Sequence, residues 1–185
     1  DLLEPRSLVR VVRIDRNGAY DGAPAIVSVK DVANDQGGHV RVAFHGSYLD
    51  RASLPEVDSY RLWRQVPVAA AQASLQRGIA AYSASALDEP TPGAIRIDAS
   101  ANSVYAWEFV TSQMANAFSS YSLTVATVAN SADGGPANTI YMVEARASAL
   151  GVGCPSMPDS GHSVDNLAPA SPMAFNAALL PASES

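Results

Sequence analysis

The sequence predicts an all-β chain folded as an antiparallel β-sandwich of fibronectin type III or immunoglobulin-like architecture, with a long insertion between strands. Two observations predict the class. About seven short strand-like runs, three of them alternating apolar and polar residues with a period of two, are separated by clusters of Gly, Asn, Asp, Ser and Pro without any strand–helix–strand rhythm. A period of two sends successive side chains to opposite faces, as in half-buried sheets.

Taken in chain order, Leu8 to Ile14 is an apolar strand signal broken by Arg10 and Arg13, closed by the turn pair Asn17-Gly18. Ile26, Val27, Val29 and Val32 mark a second strand. Asn34-Asp35-Gln36-Gly37-Gly38 follows as turn chemistry, since Asn and Asp tolerate the left-handed region and Gly enters it freely. Val40, Val42 and Phe44 then alternate with His39, Arg41 and Ala43. Tyr60, Leu62 and Val66 alternate with Arg61, Trp63 and Gln65. Residues 67–103 break the rhythm. Val68, Ala71, Leu75, Ile79 and Tyr82 have the spacing of a short, weakly amphipathic helix, and the remainder, with Pro90 and Pro92, reads as loop. Strands resume at Val104–Val110, Tyr121–Val125 and Ile140–Arg146, with an extended stretch from Cys154 to Leu167. The expected core is Val40, Val42, Phe44, Tyr60, Leu62, Tyr141 and Val143, pointing inward between two sheets.

Composition narrows the function. Apolar residues make up 48% of the chain, enough for a packed core, although much of that share is Ala, which buries little area. A net charge of -6 and basic residues that form no stripe argue against nucleic acid as a partner. No apolar run reaches the roughly 18 residues of a transmembrane helix. The single cysteine, Cys154, rules out an intrachain disulfide and a Cys-rich metal site. The chain begins with Asp1, so it is expected to be a piece of a longer or processed protein.

Two stretches carry a resemblance: Asp31-Val32-Ala33-Asn34-Asp35-Gln36-Gly37-Gly38-His39-Val40-Arg41-Val42, and Pro158-Asp159-Ser160-Gly161-His162-Ser163-Val164-Asp165-Asn166-Leu167-Ala168-Pro169. Both resemble segments of fibronectin type III-like modules in large exported bacterial proteins, where a Ser-Val-Asp-Asn-Leu-Ala-Pro-like run ends one module. Tyr60–Arg64 resembles the third strand of such a module, Trp107–Val110 the next, and Tyr141–Ala145 the sixth. Phe44 stands where that pattern usually has Trp. The likeness spans residues 24–169 apart from the insertion. It implies a domain at 23–169 with 67–103 inserted, an extension at 1–22, and a tail or linker at 170–185. It also implies an extracellular or cell-envelope location, and it brings no catalytic residues.

Candidate chemistry is sparse. His39, His45 and His162 are too dispersed to form a zinc site, and no Gly-x-Ser-x-Gly elbow is present. Asp31, Asn34 and Asp35 are the calcium candidates, short of the about six to eight oxygens that ion takes; ordinary turn chemistry explains them equally. Trp63 and Arg61 lie opposite the core face. They are contact candidates for a protein partner unless the insertion or residues 1–22 cover them. Leu8, Val12 and Ile14 are further contact candidates, for strand addition to a neighbour. The expectation is a non-catalytic structural or interaction module, without cofactor, contacting neighbouring subunits or modules in a larger assembly such as a fibre, self-association included. The alternative is an ancillary ligand- or carbohydrate-binding module of a secreted enzyme. Such a module needs two or three exposed rings, and Trp63 and Trp107 are the rings the pattern offers.

Overall fold

The computed structural model describes residues 22–86, 88–99, 102–128 and 138–165. The strand signal at Leu8–Ile14, the tail at 170–185 and the run from Asn166 to Pro169 lie outside the described residues. Among the described residues eleven strands, one α-helix and a 3-10 turn at Ser148–Leu150 occur, the strands and helix in the order β1 (Ala25–Asp31), β2 (His39–His45), β3 (Asp50–Arg51), β4 (Leu54–Pro55), β5 (Ser59–Val66), α1 (Val68–Gln76), β6 (Ile95–Ala99), β7 (Val104–Met114), β8 (Ser120–Ala126), β9 (Thr139–Ala147), β10 (Val152–Pro155) and β11 (Asp159–Gly161).

The chain is mostly antiparallel β-sheet. β1-β2-β8 form one sheet and β10-β9-β5-β7-β6 a larger one, in which β11 also pairs with β9. The short β3–β4 pair sits apart. β10 pairs with Ala147–Glu144 and β11 with Tyr141–Thr139, so both occupy one edge of β9 in succession. Gly161 sits against β1 so closely that a Cβ there would lie 2.5 Å from the Val29 carbonyl oxygen.

The alternation sorts the core as the sequence indicates. Val40, Val42 and Phe44 from β2, Tyr121 and Val125 from β8, Tyr60 and Leu62 from β5, and Tyr141, Val143 and Ala145 from β9 form one buried cluster. All seven expected core residues belong to it. Complete burial of a side chain of this size contributes about 1.5–3 kcal/mol, so the cluster is the main source of stability. Phe44, Tyr60 and Tyr121 stack within it, with ring centroids 4.8–5.4 Å apart.

The insertion differs from the loop expected of it. Its helix spans Val68–Gln76 and stops there, because Gly78 takes φ +90°; Ile79 is exposed rather than continuing the stripe. α1 has no side-chain cap and holds its place through Ala71, packed with Ile95 and Ala106 beside Val66, Val68 and Leu75. Ile95–Ala99 is not loop but β6, an edge strand paired with β7. A five-residue run whose alternation includes Arg96 and Asp98 gives little strand signal. The bond from Gly93 N–H to the Phe109 carbonyl and the one from Phe109 N–H to the Ala94 carbonyl stitch the approach to β6 onto β7.

Candidate functional site

Covering by the insertion decides the fate of the face opposite the core. Trp63 is completely buried and Arg61 only 2% exposed, so neither presents a contact surface to a partner. The cause lies within the chain. Trp63 packs with Ala94, Trp107, Phe109 and Met142, and its ring lies 5.5 Å from that of Tyr82. Arg61 donates to Glu89, the Tyr82 hydroxyl and the Asp88 carbonyl. Glu144 is buried here too: its carboxylate accepts from the Trp63 indole N–H at 3.0 Å and from Arg96 at 3.4 Å. Arg61 and Glu144 are cross-strand partners on this second face, so their burial leaves the alternation intact. Burial raises the pKa of the Tyr82 phenol, although the Arg61 guanidinium pulls it back. Leu8, Val12 and Ile14 lie outside the described residues.

The catalytic and metal candidates remain apart. His39 and His45 are exposed on β2; His45 Nδ1 lies 3.0 Å from the Ser120 hydroxyl, and His39 is 3.9 Å from the Asp35 carboxylate. Asp31 accepts from the Val164 N–H, Asp35 accepts from the Gly37 N–H, and Asn34 takes φ 62°. The Asp35 bond and the Asn34 backbone belong to the turn before β2, whereas Asp31 ties the end of β1 to the segment after β11. Among the described residues no three His, Cys, Asp or Glu groups converge on a metal position, and no helix is long and apolar enough to cross a membrane.

Two surface features stand out instead. The first is the outer edge of β8. Its register with β2 runs from His45↔Ser120 to His39↔Ala126, and the ladder continues through Gly46 N–H to the Ser119 carbonyl and Thr127 N–H to the Gly38 carbonyl. In an antiparallel ladder, bonded and non-bonded positions alternate. The odd-numbered residues of β8 therefore bond β2, while Ser120, Ser122 and Thr124 aim N–H and C=O outward. The outward carbonyl of Ala126 is taken by the Tyr141 hydroxyl and Arg64. Ser120, Ser122 and Thr124 are exposed, no charge or proline lies between Ser120 and Ala126, and no strand pairs with this edge among the described residues. Charge, proline and bulges are the usual protections of an edge.

The second is a hollow of about 320 Å³ at the end of the fold where β2 leads toward β3 and β7 leads into β8. Gly46, Ser47, Tyr48, Asp50, Arg51, Ala52, Ala117, Phe118 and Ser119 line it. Tyr48 is 41% and Phe118 58% exposed. Beneath them lies Asp50, 5% exposed. Its carboxylate accepts from the Tyr60 hydroxyl at 2.9 Å, the Tyr121 hydroxyl, and the Ala117 N–H at 2.8 Å. Burial and the adjacent Asp50 raise the pKa of both phenols. A larger hollow of about 460 Å³, bordered by Tyr105, Trp107 and Met142, has as its charged groups Arg96 and Asp98, which are bound to each other through three contacts of 2.8–3.1 Å. Trp107 itself is 4% exposed. Among the described residues the most exposed rings are thus Tyr48, Phe118 and Tyr105. Sequence patterning misses them because they stand in a loop or at a strand end, where no periodicity reports the side facing water. The available signal was Gly46-Ser47-Tyr48, a ring placed just past a strand in turn-forming residues.

Comparison of the chain with protein-family models, with curated proteins and with solved structures gives no match.

Proposed function

We propose that the chain is a non-catalytic structural or interaction module of fibronectin type III-like sandwich architecture, belonging to an exported bacterial protein and contacting neighbouring subunits or modules through β8. The observation that carries this reading is the uncharged edge of β8, with which no strand pairs among the described residues. Unpaired outward N–H and C=O groups template an added strand, and backbone pairing at an edge is a recurrent mode of protein recognition. Two features support the architecture. With β3, β4 and β6 set aside, the strand order becomes first-second-fifth against seventh-sixth-third-fourth, the split seventh strand being β10 and β11. That is the arrangement expected of such a module. Tyr141 on the sixth strand also ties its hydroxyl to the Ala126 carbonyl at the end of the fifth, 2.8 Å away, as a tyrosine does at the corner between those strands in immunoglobulin-like sandwiches.

Ser122→Pro tests the reading. The Ser122 N–H points outward, so proline removes a donor of the free edge and none of the β2 ladder. Concentration-dependent association, followed by sedimentation of the intact chain, is expected to fall at least tenfold in Ser122→Pro and again in Thr124→Lys. Association that neither change touches, or a chain that stays monomeric at all concentrations, would sink the reading.

A further inference from the structure

We infer that the hollow between Tyr48 and Phe118 is a binding subsite for a neutral sugar ring. Its form is held by a buried carboxylate, a glycine and a left-handed loop residue. Phe118 leaves most of its ring in water, yet the ring is not loose: it rests against Tyr121 at 5.7 Å between centroids. The preceding residue, Ala117, takes φ 57°, a left-handed conformation unusual for a residue with a Cβ. Asp50 holds it there through the Ala117 N–H. Gly46 allows the loop to close, since a Cβ at Gly46 would lie 2.9 Å from the Phe118 carbonyl oxygen. Local strain fixed by a buried carboxylate, and directed at presenting an exposed ring, is the kind of outlier found at ligand sites.

The chemistry of the walls selects the ligand. Tyr48 and Phe118 offer flat apolar faces, which suit the C–H face of a pyranose. Ser47, Arg51, Ser119 and the exposed backbone offer donors and acceptors for its hydroxyls. Ser47 Oγ accepts from the Leu49 N–H, leaving its own hydrogen to donate. Asp50, which already accepts from three donors, disfavours an anionic ligand, while Arg51 disfavours a cationic one. A hollow of about 320 Å³ is at the small end for ligand sites and matches one ring rather than an extended peptide. The inference goes beyond the module reading and does not depend on it. β8 pairing uses the backbone of Ser120, Ser122 and Thr124, whereas this hollow is lined by residues around β3 and just before β8.

The test is native electrophoresis of the intact chain in gels cast with glucomannan, xylan, laminarin or hydroxyethylcellulose. Retardation is expected in at least one gel. Phe118→Ala and Tyr48→Ala are each expected to weaken it about tenfold or more, and Tyr105→Ala, beside the other hollow, to leave it unchanged. Ala117→Gly relieves the strain without removing a ring and is expected to keep the fold while weakening retention. Circular dichroism of each variant separates lost binding from lost folding. No retardation in any of the four gels overturns the inference, as does retardation that survives both ring deletions. Because the association of Ser122→Pro is read separately, loss of the sugar site and loss of the module reading give different results.

Discussion

Asp50 shows how one side chain can bind three elements. It stands in β3, yet its carboxylate holds a tyrosine from β5, a tyrosine from β8 and the backbone of the loop before β8. Tyr60 donates to Asp50 and accepts from the Ser47 N–H at 2.8 Å, so the two buried side chains satisfy each other. A buried hydroxyl left without its acceptor costs about 1–3 kcal/mol. Asp50→Ala orphans both phenols and the Ala117 N–H together. We expect it to lower the free energy of unfolding by about 3 kcal/mol, read from the urea midpoint at constant slope, and Asp50→Asn, which keeps one acceptor, to cost less. An unchanged midpoint for Asp50→Ala would show that water satisfies these groups.

At the scale of elements, β5 and β9 explain both what the sequence discloses and what it conceals. The inward set Tyr60, Leu62, Tyr141 and Val143 is legible because period-2 alternation reports which residues share a face. It does not report whether the other face meets water. β9 is buried on almost every residue, Glu144 and Arg146 included, because the insertion lies over it. Charges on that face suggest solvent, yet Glu144 pairs with Arg96 inside. β6 escapes detection for the same reason: Arg96 and Asp98 look like loop residues until their pairing and the indole of Trp63, 5.1 Å from the Arg96 guanidinium carbon, are in view. The rings at Tyr48 and Phe118 depend on tertiary placement of loops, which no local spacing encodes.

The same second face supplies two substitutions of opposite sign. Glu144 is the buried partner of Arg96 and of Trp63. Breaking a buried ion pair on one side costs about 3–5 kcal/mol. Glu144→Gln keeps the shape and an acceptor, so a loss of about 2–3 kcal/mol is expected. Arg146 is 1% exposed, and its Nε and Nη2 have no hydrogen-bond partner among the described residues. A buried charge whose donors lack acceptors carries a desolvation penalty that an apolar side chain of similar length does not. Arg146→Met is therefore expected to raise the urea midpoint. A fall comparable to that of Glu144→Gln would mean that Arg146 balances this layer electrostatically.

For the molecule as a whole, the buried tyrosines set the alkaline limit of the fold. Burial raises the pKa of Tyr60 and Tyr121, which also lie beside Asp50. It raises that of Tyr82, and it raises Tyr141 to about 12. An unfolded tyrosine ionises near 10. Below about pH 10 these phenols are neutral in both states, and their contribution to stability is fully present. As pH rises through 10, the unfolded chain releases protons that the native chain still holds. Stability must then fall, and the loss is complete for each residue only above its folded pKa. The urea midpoint is therefore expected to be flat near pH 8–9 and to drop steeply from about pH 10 toward 12, with the phenolate absorbance of the buried tyrosines appearing together with loss of the β-sheet signal. Tyr141→Phe should soften that drop, because it removes one shifted phenol from the cycle, at the price of the bond to Ala126. If all the phenols titrate near pH 10 while the sheet signal stays intact, then the two sheets open to water more readily than this packing allows.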